Sequence, residues 1–149
     1  LSDTANFEQS VSSVCHEPLG ALGLEILQVN MGSRCNMACK HCHVQAGPER
    51  TEMMGGETVD AVIGALRGSD VAALDITGGA PELNPHFRRL VREGAGLGRR
   101  VMARSNLTIF FEPGMEDLPG FYAENNVEVI ASLPYYSEAG VDRVRGSGA

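Results

Sequence analysis

The sequence predicts an α/β fold built on a parallel sheet, and three observations carry that expectation. Short runs rich in branched apolar residues at Leu24 to Asn30, Val71 to Thr77, Arg100 to Ser105 and Val127 to Leu133 have the length and composition of strands. The segments between the first three repeat their apolar residues at helical spacing, as in Val59, Val62, Ile63 and Leu66. Strand, helix, strand at this separation is a parallel crossover unit, right-handed by general rule.

Residues 1–23 are polar and then punctuated by Gly and Pro, without sustained periodicity, and read as an N-terminal extension or loop. Cys15 and His16 lie within it, either as a free thiol beside an exposed ring or as an additional ligand; they have no ligand spacing of their own. The first strand, Leu24 to Asn30, stops where a cysteine-rich loop begins. Ala46 to Arg50 is turn chemistry, and Glu57 to Arg67 is a helix with one apolar face, ended by Gly68 to Asp70.

Val71 to Thr77 is apolar enough to be a buried strand. Gly78 and Gly79 then let the chain turn sharply and approach a ligand, and Pro81 stiffens the exit. Asn84 and Pro85 suggest a cap and first helical position, with Phe87, Leu90, Val91 and Leu97 on the buried face. Gly94, Gly96 and Gly98 weaken and stop that helix. Arg100 to Ser105 is a third strand, Glu116 to Asn125 at best a short helix, and Val127 to Leu133 a fourth strand left as an unprotected edge.

The chain has 149 residues, 43% hydrophobic and 21% charged, which is globular composition for one domain. Its net charge is -7 and Lys40 is the sole lysine, so nucleic acid is not an expected partner. No run approaches the roughly 18 apolar residues of a membrane helix. With no secretion signal at its start, the chain is expected in the cytoplasm, where thiols stay reduced. The missing initiator Met and the end in Arg-Gly-Ser-Gly-Ala suggest a piece of a longer protein.

Three of the four cysteines, Cys35, Cys39 and Cys42, fall within eight residues at C-x3-C-x2-C spacing. A structural zinc site is closed by four ligands, commonly in two separated pairs. Iron-sulfur clusters are held by thiolates, and a 4Fe-4S cube held by three leaves one iron open for chemistry. The alternative is a structural or zinc-bound trio.

This loop, following directly on a strand, resembles the cluster loop of the radical S-adenosylmethionine (SAM) enzymes. Leu74 to Pro81, ending Thr-Gly-Gly-Ala-Pro, resembles their SAM-binding turn, with Ala80 where Glu is commonest. The chain is most similar to the arsenosugar-biosynthesis radical SAM family, on Leu27 to Asn30, Arg34 to Pro48, Thr77 to Arg88, Ser105 to Thr108, Ala131 to Pro134 and Val141 to Arg143. The resemblance implies the N-terminal part of a partial (β/α)6 TIM-like barrel, with residues 24–149 as an incomplete core ending after the fourth strand.

It further implies that Cys35, Cys39 and Cys42 bind a 4Fe-4S cluster and that SAM is cleaved reductively to a 5′-deoxyadenosyl radical. His41 would lie near the adenine, with His43 a solvated neighbour. Gly78, Gly79, Ala80 and Pro81 would meet the methionine part of SAM; Ser132 would contact its ribose, with Asn106 at the same rim and Arg104 either there or on the surface. Glu82 is a helix-start acid or a substitute contact. The implied substrate is a trivalent methylated arsenical joined to the deoxyadenosyl group, and the implied partner an electron donor such as flavodoxin or ferredoxin. Alternatives are a radical SAM enzyme acting on another substrate, in peptide modification or cofactor maturation, and a non-enzymatic iron-sulfur or zinc-binding module.

Overall fold

The computed structural model describes residues 3–15 and 23–146. Four strands, β1 (Ile26–Asn30), β2 (Ala73–Thr77), β3 (Arg100–Ser105) and β4 (Glu128–Ala131), form one parallel sheet in the order β1-β2-β3-β4. β3 matches the predicted run, and the other three are shorter than the runs that predicted them, because pairing ends where the chain turns into loops. Helices α2 (Gly56–Arg67), α3 (Phe87–Gly96) and α4 (Leu118–Glu124) form the three crossovers.

The alternation of side chains along each strand divides the sheet into two faces. Leu74, Ile76, Val101 and Ala103 are buried with Val59, Ile63 and Leu66 of α2 and Phe87, Leu90 and Val91 of α3. Gly94 of α3 packs so closely that a Cβ there would lie 2.9 Å from Leu74. The opposite face carries Gln28, Asp75, Met102, Arg104 and Ile130, a more polar set. With β1 and β4 at the two edges and Val129 of β4 37% exposed, the fourth strand is the open edge that the sequence suggested.

Three elements depart from expectation. Asp3–Val14 is a helix, α1, within the stretch read as a loop; Phe7, Val11 and Val14 do fall at i, i+4 and i+7, a short periodicity that the surrounding polar residues masked. Cys15 follows it as an exposed free thiol, while His16 and residues 17–22 lie outside the described residues. Second, α3 begins at Phe87 with His86 at its cap. Asn84 is buried, its Nδ2 donating to the Met31 and Met54 carbonyls at 2.9 and 3.0 Å, so it ties the cysteine loop to the sheet.

Third, the chain does not end with the fourth strand. Glu138–Arg145 forms a helix, α5, after β4. Its sequence is polar and lacks an apolar stripe; Glu138 in the first turn and Arg143 and Arg145 in the last suit the helix dipole instead.

Candidate cofactor site

All four strands point their C-terminal ends at one place. From β1 the chain passes into the cysteine loop, which is pinned by backbone bonds from Ser33 N to Glu52 O (2.8 Å), Cys35 N to Gly47 O (3.1 Å) and Gly47 N to Ser33 O (3.1 Å). From β2 it enters the glycine turn, whose amides reach the same loop: Gly79 N donates to Gly32 O and Ala80 N to Arg34 O, both at 2.9 Å. A Cβ on Gly79 would overlap the Arg34 carbonyl, and Gly78, at φ +153°, would place one 2.9 Å from Gly32 O. Glycine is needed here because two backbones touch.

With the Gly79 and Ala80 N-H groups bound to the loop, the carbonyl oxygens of Gly78 and Gly79 are left for a ligand. Among the described residues none donates to those two oxygens. The turn is therefore an acceptor, suited to an ammonium group.

Loop, turn and strand ends enclose a cavity of about 360 Å³. Its wall includes Cys35, Cys39, Cys42, His41, Gly78, Gly79, Asn106 and Ser132, so eight of the ten residues singled out for cluster or SAM come together. Ala80 and Pro81 do not reach it; both are buried behind the turn, where they hold its shape. His41 is exposed, its Nδ1 3.1 Å from the Val144 carbonyl oxygen, and His43 is an exposed neighbour on the same wall.

Burial raises the Cys35 thiol pKa, against the Met37 amide and the Asn106 side chain, which lower it, and with Cys39 and Cys42 adding to the rise. Cys39 is also raised, by burial first, with Arg145 opposing and Cys42 reinforcing. Thiols held protonated in this way become thiolates when a metal displaces the proton. Among the described residues no three His, Cys, Asp or Glu groups converge as they would around a single ion. The three thiols line one cavity and form an all-sulfur donor set, the ligand chemistry that an iron-sulfur cluster would need.

Arg145 is the site residue that sequence reasoning missed. It comes from α5 and is 7% exposed. Nη1 donates to the Asn106 carbonyl at 3.2 Å and contacts Met37 Sδ at 3.6 Å; Nη2 donates to the Ser132 carbonyl. Nε is buried with no partner, and no carboxylate pairs with Arg145 among the described residues. A buried guanidinium without a counterion costs several kcal/mol by the general order of such penalties, about 3–5. An anionic ligand in the cavity would recover that cost. Nothing in the sequence marked Arg145, because α5 has no apolar pattern.

Arg104 also reaches the wall. Its Nε and Nη2 hold Asp75 at 3.0 and 2.8 Å, and Gln28 Nε2 donates to the same carboxylate at 2.7 Å. Arg104 first, with Gln28, keeps the Asp75 carboxyl below its usual pKa against the effect of burial. Glu82 sits in the first turn of a short 3-10 helix, Pro81–Leu83, the helix-start position expected of it, and does not line the cavity. It is 5% exposed, behind the turn, where burial raises its pKa while Tyr122 OH donates to Oε1 at 2.8 Å.

These features define a class by fold: a parallel α/β sheet with a thiol-lined cavity at the strands' C-terminal ends. No family model matches the chain, and no curated protein matches it. Among solved structures it is similar to Streptococcus suis SuiB, at 14% identity and a TM-score of 0.65, covering 97% of this chain and 32% of that one. SuiB bound to S-adenosylmethionine matches with a TM-score of 0.64, also at 14% identity, over 97% of this chain and 33% of that one. The chain thus shares its fold with about a third of SuiB. Among the described residues no helix is long and apolar enough to cross a membrane.

Proposed function

We propose that this chain is the core of a radical SAM enzyme, with residues 24–149 as its cofactor-binding part. One observation carries the reading: three thiols, an acceptor turn and an unpaired buried guanidinium meet in one cavity at the strand ends. SAM carries an ammonium and a carboxylate at one end, and the cavity offers a partner for each. The SAM-bound neighbour of the same fold supports the choice of ligand.

In this reading Cys35, Cys39 and Cys42 hold a 4Fe-4S cluster, which when bound and reduced supplies one electron for breaking the sulfur to C5′ bond of SAM. Gly78 and Gly79 accept from the ammonium, Arg145 neutralises the carboxylate, and Ser132 lies at the ribose side. His41 caps the adenine side. Met37 and Ala46, buried beneath the loop, exclude water from the thiols.

The finer proposal is that the radical adds to the lone pair of a trivalent methylated arsenical, forming the carbon-arsenic bond, and that the resulting arsenic-centred radical gives up one electron to a one-electron acceptor, such as the oxidised electron-transfer partner, to become the pentavalent product. Its support is the sequence resemblance on Arg34 to Pro48 and Thr77 to Arg88, together with the lone pair of arsenic, a soft radical acceptor. A cytoplasmic electron donor of the flavodoxin or ferredoxin kind completes the scheme.

Anaerobic reconstitution with iron and sulfide, followed by electron paramagnetic resonance of the dithionite-reduced protein with and without SAM, tests the reading. A 4Fe-4S signal that shifts on adding SAM and is lost in Cys39→Ala is expected. A cluster signal indifferent to SAM would refute it. Dimethylarsenite is then the substrate to add, with formation of a deoxyadenosyl-arsenic product as the readout.

A further inference from the structure

The three thiols are not in equivalent surroundings. Cys35 Sγ receives two N-H groups, from the Met37 backbone at 3.4 Å and from Asn106 Nδ2 at 3.6 Å. Cys42 Sγ receives one, from Ala46 N at 3.3 Å, and among the described residues no N-H is directed at Cys39. Two of these three donors are backbone, fixed by the fold of the loop itself. The third comes from a residue 71 positions away, on a different strand end.

The Asn106 amide is held in one orientation. Its Oδ1 accepts from Thr108 Oγ1 at 3.0 Å and from Ile109 N at 3.1 Å, so Nδ2 must face the cysteine loop. There it donates to Asn36 Oδ1 at 2.8 Å as well as towards Cys35. Asn36 in turn donates to Thr108 Oγ1 at 3.0 Å and Glu112 Oε1 at 3.2 Å, closing the network. The turn is held against strain: Leu107, next in the chain, has φ +64°, a left-handed conformation that costs a bulky residue about 1 kcal/mol or more. A strained turn locked by four side-chain bonds is more than a loop closure requires.

We propose that Asn106 is a positioning residue for the cluster ligand Cys35 and raises the reduction potential of the cluster that the trio would hold. The inference rests on the functional reading above. Reduction adds one electron, supplied by dithionite in the test, and places more negative charge on the cluster and its sulfurs. An N-H dipole with its positive end towards Cys35 Sγ stabilises that reduced form more than the oxidised one. Asn106 thus makes a low-potential centre easier to reduce, and ties that property to the position of the turn after β3.

The experiment is a potentiometric titration of the reconstituted protein, followed by electron paramagnetic resonance without SAM, with iron and sulfide counted per chain. Asn106→Leu keeps the size and removes the donor; Asn106→Asp keeps the acceptor for Thr108 and Ile109 and adds negative charge. Both are expected to bind a full cluster with a midpoint below wild type, the aspartate variant lowest. Thr108→Val touches no thiol and loosens the amide, so it covers the case in which the Asn106 variants fail to fold; its midpoint is expected to fall by less. A cluster with the wild-type midpoint in every folded variant overturns the assignment while leaving the functional reading intact. If the wild type binds no cluster, both fall together.

Discussion

Arg145 Nη1 donates to the carbonyl oxygen of Asn106 at 3.2 Å, joining the last turn of α5 to the turn that follows β3. Through that bond a buried cation is carried to the cavity wall with Nε unpartnered. Replacement by a similar-sized apolar residue should therefore act in opposite directions on stability and on binding. Arg145→Met is expected to raise apo-protein stability by about 1 kcal/mol, as apolar replacement of buried charge often does. In the reconstituted protein it should weaken SAM binding by at least about tenfold, ~1.4 kcal/mol. Thermal melting of the apo form and a SAM titration measure the two; a less stable variant that binds SAM normally would mean that the guanidinium is purely structural.

The glycine turn yields a paired prediction. Gly79→Ala places a Cβ against the Arg34 carbonyl, where backbone on both sides must move, and is expected to cost about 2 kcal/mol or more in urea unfolding. Gly64→Ala lies inside α2 with nothing within 4 Å of the added carbon, and should stabilise by roughly 0.5–1 kcal/mol. Equal effects at the two positions would show that contact between turn and loop contributes little.

How much of this was legible in the sequence depends on which signal each part uses. The four strands were readable because their short runs are rich in branched apolar residues, and α2 because Val59, Val62, Ile63 and Leu66 repeat at the helix period. The cysteine trio and Gly78-Gly79 were readable because spacing and the absence of a Cβ are local facts. Arg145 was not, because its burial is created by α5 folding back on Asn106 and Ser132, and a polar octapeptide gives no warning of that. Ala80 and Pro81 were read as ligand contacts, and in the structure they are buried behind the cavity wall. A motif places the turn at the site, but which of its residues face inward is decided by the bonds from Gly79 and Ala80 to the loop.

Asp75 gives a prediction on the acid side. Its pKa in the folded protein is lowered, mainly by Arg104, so its pairing contributes stability that is complete above the unfolded carboxyl value near 3.8. That contribution is lost as pH falls further, through the lower folded value. Asp75→Asn should accordingly be less stable than wild type at pH 6, with the difference shrinking below about pH 4 as the wild-type carboxyl protonates. Unfolding curves between pH 2.5 and pH 6 would reveal this, and a difference independent of pH would assign the loss to packing instead of charge.

Glu82 has the opposite sign. Burial raises its folded pKa above the usual 4.5, with the Tyr122 and Ser105 hydroxyls only partly opposing the rise. A carboxyl raised in this way favours folding while it is protonated. The advantage is complete below the unfolded value, declines as pH rises towards the folded one, and is gone above it. Tyr122 is raised in the same way, by burial and then by the neighbouring carboxylate, so its hydroxyl remains a donor throughout. Glu82→Gln keeps an acceptor for that hydroxyl and cannot ionise. The variant is expected to match wild type near pH 4 and to exceed it at pH 8 by on the order of 1 kcal/mol, the scale of an imperfectly satisfied buried group. Melting temperatures at the two pH values decide it: if wild type gains on the variant as pH rises, the carboxylate is stabilised in the core by partners that the Tyr122 bond alone does not account for.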